Sequence, residues 1–277
     1  MDEQFKMGWL KDPPDLRDYT LDSEEVKQFV VAGAKDVLLP IDQIEVQLPS
    51  LREQGRIGSC TGHAGNYMLD VHQKVAGWNP EPLSRRFLYK VTRNLLGWTG
   101  DTGAYLRTTM QTIAMIGVPP ERYWPYNEVD FDVEPTAFIY ALAQDFKGLT
   151  YYRLDPPETL REEVIIRIKT NVKLDRACMF GFRVYGFSAQ GEALLPAPGA
   201  PPQGGHAVTV VAYDDTRQIS HPDGSTTTGA FKFANWWGAN WGSEGFGWLP
   251  YDFVRKGIAT DWWTMMSLDW IDQKQFS

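Results

Sequence analysis

Cys60 closes the run Gln54-Gly-Arg-Ile-Gly-Ser-Cys, and far downstream come Gly204-Gly-His206-Ala-Val and Asn235-Trp-Trp-Gly. A thiol is a useful nucleophile only as its thiolate, and a helix N-terminus with an adjacent imidazole is the usual means of lowering its pKa. Gly58-Ser59 reads as the end of a loop. Beyond it Ala64, Met68, Val71 and Val75 recur at helical spacing until Gly77, which predicts a helix over 61–76 with Cys60 at its positive end. His206, opening an apolar strand, would be the imidazole partner, protonated at rest and ready to give its proton to a leaving amine. Asn235 would orient that ring, as the third member of a catalytic triad does. The long separation of Cys60 from His206 places nucleophile and base on different parts of the fold, at a seam between two lobes.

The three segments resemble the active-site signatures of papain-like cysteine peptidases, in particular bacterial members of that family. Further landmarks carry the resemblance: Leu83-Ser-x3-Leu88-Tyr89, Gly100-Asp-Thr-Gly103, Gly117-Val-Pro-Pro-Glu-x2-Trp124-Pro-Tyr126 and the closing Gly257-Ile-Ala-Thr-Asp261-Trp-Trp, together covering residues 38–270. The resemblance implies an α+β fold of two lobes, the N-terminal one helical and the C-terminal one an antiparallel β-barrel-like sheet, with the site between them. It implies hydrolysis of peptide bonds through a thioester on Cys60, with His206 as general acid and base. Gln54 is similar to the family's oxyanion-hole glutamine, whose amide acts beside the backbone N–H of Cys60. Trp237 is similar to the tryptophan that shields the histidine–asparagine hydrogen bond. Gly103 and Ala104 fall on a glycine pair whose backbone hydrogen-bonds an extended substrate, Ala104 replacing the second glycine. Gly58, Ser59, Gly205 and Trp237, whose indole would also floor the leaving-group side, complete the expected substrate-binding set. Thr61 and Gly205 depart from residues common beside the nucleophile and the histidine, which bears on substrate preference rather than on the reaction. Two other uses of the scaffold stay open: an acyl transferase or peptide ligase working through the same thioester, and an inactive binding scaffold. Intact Gln54, Cys60, His206 and Asn235 argue against the inactive one.

The elements that must position these residues follow from pattern. Residues 48–150 read as a helical lobe, with helices at 61–76, 83–96 and 104–116. Residues 151–277 read as a mostly antiparallel β lobe, with one helix at 160–171 and strands at 178–187, 206–213, 229–234 and 247–249. Residues 1–47 form an arm with a turn-rich Asp12-Pro-Pro-Asp15 and a short helical candidate at 23–31. Intramolecular inhibition by this arm and a plain structural strap are both open readings.

The chain has 277 residues, 43% of them hydrophobic, enough for a large core. A net charge of −8 without any basic cluster argues against nucleic acid or an anionic membrane as partner, while the resemblance implies a peptide or protein substrate. The N-terminus lacks a signal-like apolar stretch, and no run approaches the roughly 18 apolar residues of a membrane span. Only Cys60 and Cys178 are present, and Ile57 stands where secreted papain relatives carry a paired cysteine, so the expected compartment is cytoplasmic. Cys178, on a strand pattern, reads as a buried inert thiol. Cys60 and His63 are three apart but no other Cys/His pair joins them, so no metal is expected. No cofactor is expected either: Gly-rich 242–247 follows an aromatic run rather than a strand that feeds a helix. His63 and His72 read as ordinary helix residues and His221 as a turn tip.

Overall fold

The computed structural model describes residues 6–24, 26–27, 38–148 and 150–266. Its centre is helix α1 (Cys60–Val75), buried on nearly every side. Two glycines let its neighbours approach: a Cβ at Gly62 would lie 3.0 Å from the Arg85 carbonyl, and one at Gly65 would lie 3.0 Å from the Thr109 side chain. Those contacts seat α2 (Arg85–Leu95) and α3 (Leu106–Met115) against α1. Ser84 begins α2 by accepting a hydrogen bond from the Phe87 N–H at 3.1 Å. A short α4 (Ala137–Ala143), capped by Thr136, was not foreseen in the sequence.

The opposite side of α1 packs on the sheet, where Thr209 Oγ1 donates to the Ala64 carbonyl at 3.0 Å. Here β2 (Ile41–Gln43), β4 (Tyr151–Arg153), β5 (Cys178–Val184), β6 (Gly204–Ser220), β7 (Thr226–Ala234), β8 (Phe246–Pro250) and β9 (Ala259–Met265) pair antiparallel in the order β4-β9-β5-β6-β7-β8, with β2 beside β6. The sheet is not closed into a barrel: β4 and β8 are its two ends, which corrects the barrel-like expectation. Because β2 joins this sheet, part of the segment read as an arm belongs to the β lobe. Helices α5 (Arg161–Lys173) and α6 (Tyr251–Arg255) complete the lobe. Aromatic stacking fills its core, with Phe180 parallel to Trp262 at 4.0 Å.

A second, two-stranded sheet pairs β1 (Trp9–Leu10) in parallel with β3 (Ala104–Tyr105). Most of the 23–31 helical candidate lies outside the described residues. His63 and His72 are buried in α1, and His221, expected at a turn tip, is also buried, held by the Leu195 N–H and Thr227 Oγ1. Among the described residues no helix is long and apolar enough to cross a membrane.

Candidate active site

Cys60 is the first residue of α1, and the loop before it is braced from below. The Gln54 N–H donates to the Trp236 carbonyl at 2.9 Å, tying the loop to the β lobe. Tyr126 donates its hydroxyl to the Gln54 carbonyl at 2.6 Å and pairs with Ser59 Oγ at 2.7 Å. Asp101 receives the Gly58 N–H at 2.9 Å and the Tyr89 hydroxyl at 2.6 Å. Ser59, expected among the substrate-binding residues, is here a buried brace of the loop. Tyr126 and Asp101 belong to landmark segments of the sequence, yet their type and spacing reveal no role.

His206 lies on β6, buried, with Nε2 at 2.7 Å from Asn235 Oδ1. An amide oxygen only accepts, so Nε2 carries the proton and Nδ1 keeps a free lone pair. Nδ1 makes no hydrogen bond among the described residues. Trp237 stacks on the ring at 4.5 Å and 23°, covering one face of the imidazole. Trp236, overlooked in the sequence, sends Nε1 to the Ala207 carbonyl at 2.9 Å and holds this edge of β6 in place.

The Cys60 thiol lies against the backbone of Ala207, one residue from His206, and against the backbone of Gly8. Burial pushes the thiol up to about 11, which those backbone groups only partly offset. Burial likewise pushes His206 down to about 4, against the Asn235 hydrogen bond. Removal from water thus favours the uncharged form of both groups while the site is covered.

What covers the site is the chain's own N-terminal segment. The Lys6 carbonyl accepts from Gln54 Nε2 at 2.7 Å, while Lys6 Nζ meets Asp101 at 2.6 Å. Gly8 presses on Gly58: a Cβ on Gly8 would come within 1.8 Å of the Gly58 oxygen. Gly8 accepts from the Ala104 N–H at 2.8 Å, and a Cβ on Gly103 would be 2.2 Å from that same Gly8 oxygen. Met7 lies over Gly204 and Trp9 over Gly205. Gly58, Gly103, Ala104 and Gly205, expected to hold substrate, thus hold residues 7–9.

A buried charge cluster anchors the segment just beyond. The Asp12 carboxylate accepts from the Arg107 N–H at 3.2 Å and from Trp263 Nε1 at 3.0 Å, and the Asp12 N–H donates to Asp261 Oδ2 at 2.8 Å. Arg107 pairs with Asp18 at 2.6 Å, and Arg153 pairs with Asp155 at 3.0 Å and Asp261 at 2.9 Å. Burial, and for Asp261 the neighbouring Asp12 carboxylate, raise both of these acids above the ordinary carboxylate range. Asp261 has φ of 58°, a conformation that short polar residues tolerate, at a bulge between the Met179–Trp263 and Gly181–Thr260 pairs.

The family model for papain family cysteine proteases matches residues 41–264. A peptidase C1-like protein of Acanthamoeba polyphaga mimivirus is 30% identical over 280 residues, spanning 94% of this chain and 86% of its own length. Among solved structures, xylellain, a cysteine protease from Xylella fastidiosa, superposes with a TM-score of 0.76 at 26% identity, covering 94% of this chain and 96% of that one. Procathepsin B S9 of Trypanosoma congolense superposes at 0.65 with 13% identity, covering 94% and 87%, a likeness of fold.

Proposed function

Because the chain belongs to the papain family of cysteine proteases, we propose that it hydrolyses peptide bonds through a thioester at Cys60, in a form held off until residues 6–12 leave the cleft. The observation that carries this reading is the Lys6 carbonyl on Gln54 Nε2 at 2.7 Å, a peptide carbonyl of the chain itself on the amide that would polarise a scissile one. Withdrawal of the segment readmits water and removes the burial that favours the uncharged forms of Cys60 and His206.

His206 Nδ1, its lone pair free, takes the Cys60 proton, and the thiolate attacks the substrate carbonyl carbon. The oxyanion settles between Gln54 Nε2 and the Cys60 N–H. Its collapse breaks the C–N bond, and the leaving amine takes the proton from His206. Water then gives a proton back to Nδ1 and attacks the thioester, releasing the acid and restoring the thiol. Asn235 holds the ring in the tautomer that both halves need. The free Cys60 and Cys178 fit a reducing, cytoplasmic compartment.

The test is mass spectrometry of a peptide library incubated with the full-length protein, with and without an added amine. Hydrolysed products, absent with Cys60→Ala, support the reading. Amide products predominating whenever the amine is present would make the protein a transferase, and no products from any variant with a loosened segment would overturn catalysis altogether.

A further inference from the structure

His63, which the sequence presents as an ordinary helix residue, stands one turn along α1 from the nucleophile and is buried. Its Nδ1 lies 3.0 Å from the Ser59 carbonyl and 3.3 Å from Ser59 Oγ. Its Nε2 lies 3.2 Å from Arg85 Nη1, which also donates to the Glu53 carbonyl at 3.2 Å. One ring thus touches the residue before Cys60 on one side and reaches, through Arg85, the residue before Gln54 on the other. Arg85 itself is fixed: its guanidinium pairs with Glu121 at 2.6 Å and lies over the Tyr126 ring at 4.4 Å.

These partners leave the ring one arrangement of its proton. A carbonyl only accepts, so Nδ1 carries the hydrogen; a guanidinium only donates, so Nε2 offers its lone pair. Burial, and after it the Arg85 charge, push His63 well below the ordinary imidazole value, which disfavours a second proton. From there the donors run in one direction. The Nδ1 hydrogen serves the Ser59 oxygens, which leaves the Ser59 hydroxyl to donate to Tyr126 at 2.7 Å, and Tyr126 donates to the Gln54 carbonyl at 2.6 Å. Hydrogen bonds that follow one another in this way polarise each other. The opposite tautomer would set an N–H against Arg85 and a lone pair against the Ser59 carbonyl.

We propose that His63 is a positioning residue: oriented by Arg85, it heads a hydrogen-bond chain through Ser59 and Tyr126 that fixes Gln54 relative to Cys60, the two residues that would share the oxyanion. The assignment goes beyond the peptidase reading and rests on it for its kinetics. The ring acts from beneath the loop, through the carbonyls and hydroxyls that shape it. An oxyanion needs both donors at hydrogen-bond distance at once, so a loosened register lowers kcat rather than substrate binding. Loss of one such bond corresponds to roughly a 2- to 10-fold fall.

The experiment takes full-length Gly8→Val, its covering segment loosened, as parent and adds His63→Phe, His63→Asn or Tyr126→Phe, each checked by circular dichroism. Peptide hydrolysis is compared with alkylation of Cys60 by iodoacetamide, a displacement that forms no oxyanion. His63→Phe keeps a ring and loses both nitrogens. It should lower kcat about tenfold, with KM and the alkylation rate each within about twofold of the parent. His63→Asn, which keeps an N–H near the place of Nδ1, should recover about threefold over His63→Phe. An unchanged kcat in folded His63→Phe, alkylation that falls in step with kcat, or no recovery with His63→Asn would each overturn the role. Should His63→Phe fail to fold, Tyr126→Phe removes one hydroxyl from the chain and should lower kcat about threefold at unchanged KM; an unchanged kcat overturns the chain. A second arm needs no turnover: nitrogen NMR of labelled wild type should show His63 with Nδ1 protonated and Nε2 bare from about pH 5 to 8. If the parent cleaves no peptide, the peptidase reading falls and this arm still decides the chain: a protonated Nδ1 with bare Nε2 sustains it, and a proton on Nε2 ends it.

Discussion

The Gln54 carboxamide donates to the Lys6 carbonyl at 2.7 Å and to the Ile57 carbonyl at the same distance. The second bond holds the side chain in its loop while the first is occupied by the covering segment. The amide is therefore aimed before any substrate arrives. That preorganisation is what makes a donor effective on charge that develops during a reaction.

Gln54→Ala, made in a background with a loosened segment such as Gly8→Val, should lower kcat by roughly 10- to 10³-fold with little change in KM. The check is steady-state kinetics on one peptide. An unchanged kcat would reduce Gln54 to a loop brace.

Thiol chemistry should separate the two cysteines. Both are buried, and burial pushes Cys178 up to about 12 within a sheet that has no reason to open. A peptidyl epoxide should modify Cys60 alone, slowly in wild type and faster once the segment is loosened. Peptide mapping that found Cys178 modified first would contradict the assignment.

Asp12 and Asp261 should make closure pH-dependent. Their docked-state pKa values lie above the ordinary 3.8, so the closed form binds protons more tightly than the open form. The stabilisation is complete below the ordinary carboxylate pKa and is lost as pH rises through the raised values. The ratio of Cys60 labelling rates, wild type over Asp12→Asn, cancels the thiol's own titration and should increase with pH above 5, taken here as roughly one unit past an ordinary carboxylate. A flat ratio would mean that this cluster does not govern the segment.

Much of the site was legible because its chemistry needs particular residue types in particular local settings. Cys60 at a helix start, His206 opening an apolar strand and Asn235 before a Trp-Trp-Gly run announce themselves by pattern. The long helices were legible too: apolar residues recur at helical spacing along α1 until Gly77. What stayed hidden depends on contacts between distant segments. Nothing in Lys6-Met-Gly-Trp9 has a period or a motif, and its path is set by the glycines it meets at 58, 103, 181, 204 and 205. Asp261 reads only as one residue of a closing segment. Only the bulge and its φ of 58° bring its carboxylate to Trp9. Closure of the sheet is a matter of which strands remain edges, and local alternation carries no record of it.

The most direct test of the account compares one fluorogenic peptide on full-length wild type, Gly8→Val and Gly8→Val with Cys60→Ala, each confirmed folded by circular dichroism. A side chain at position 8 must push Gly8 away from the Gly58 oxygen that its Cβ would meet at 1.8 Å. Overpacking of about 1–3 kcal/mol corresponds to roughly a 5- to 150-fold shift from closed to open. The account predicts that Gly8→Val cleaves at least about fivefold faster than wild type and that the Cys60→Ala partner does not cleave. A folded Gly8→Val no faster than wild type, or cleavage that survives Cys60→Ala, would contradict it.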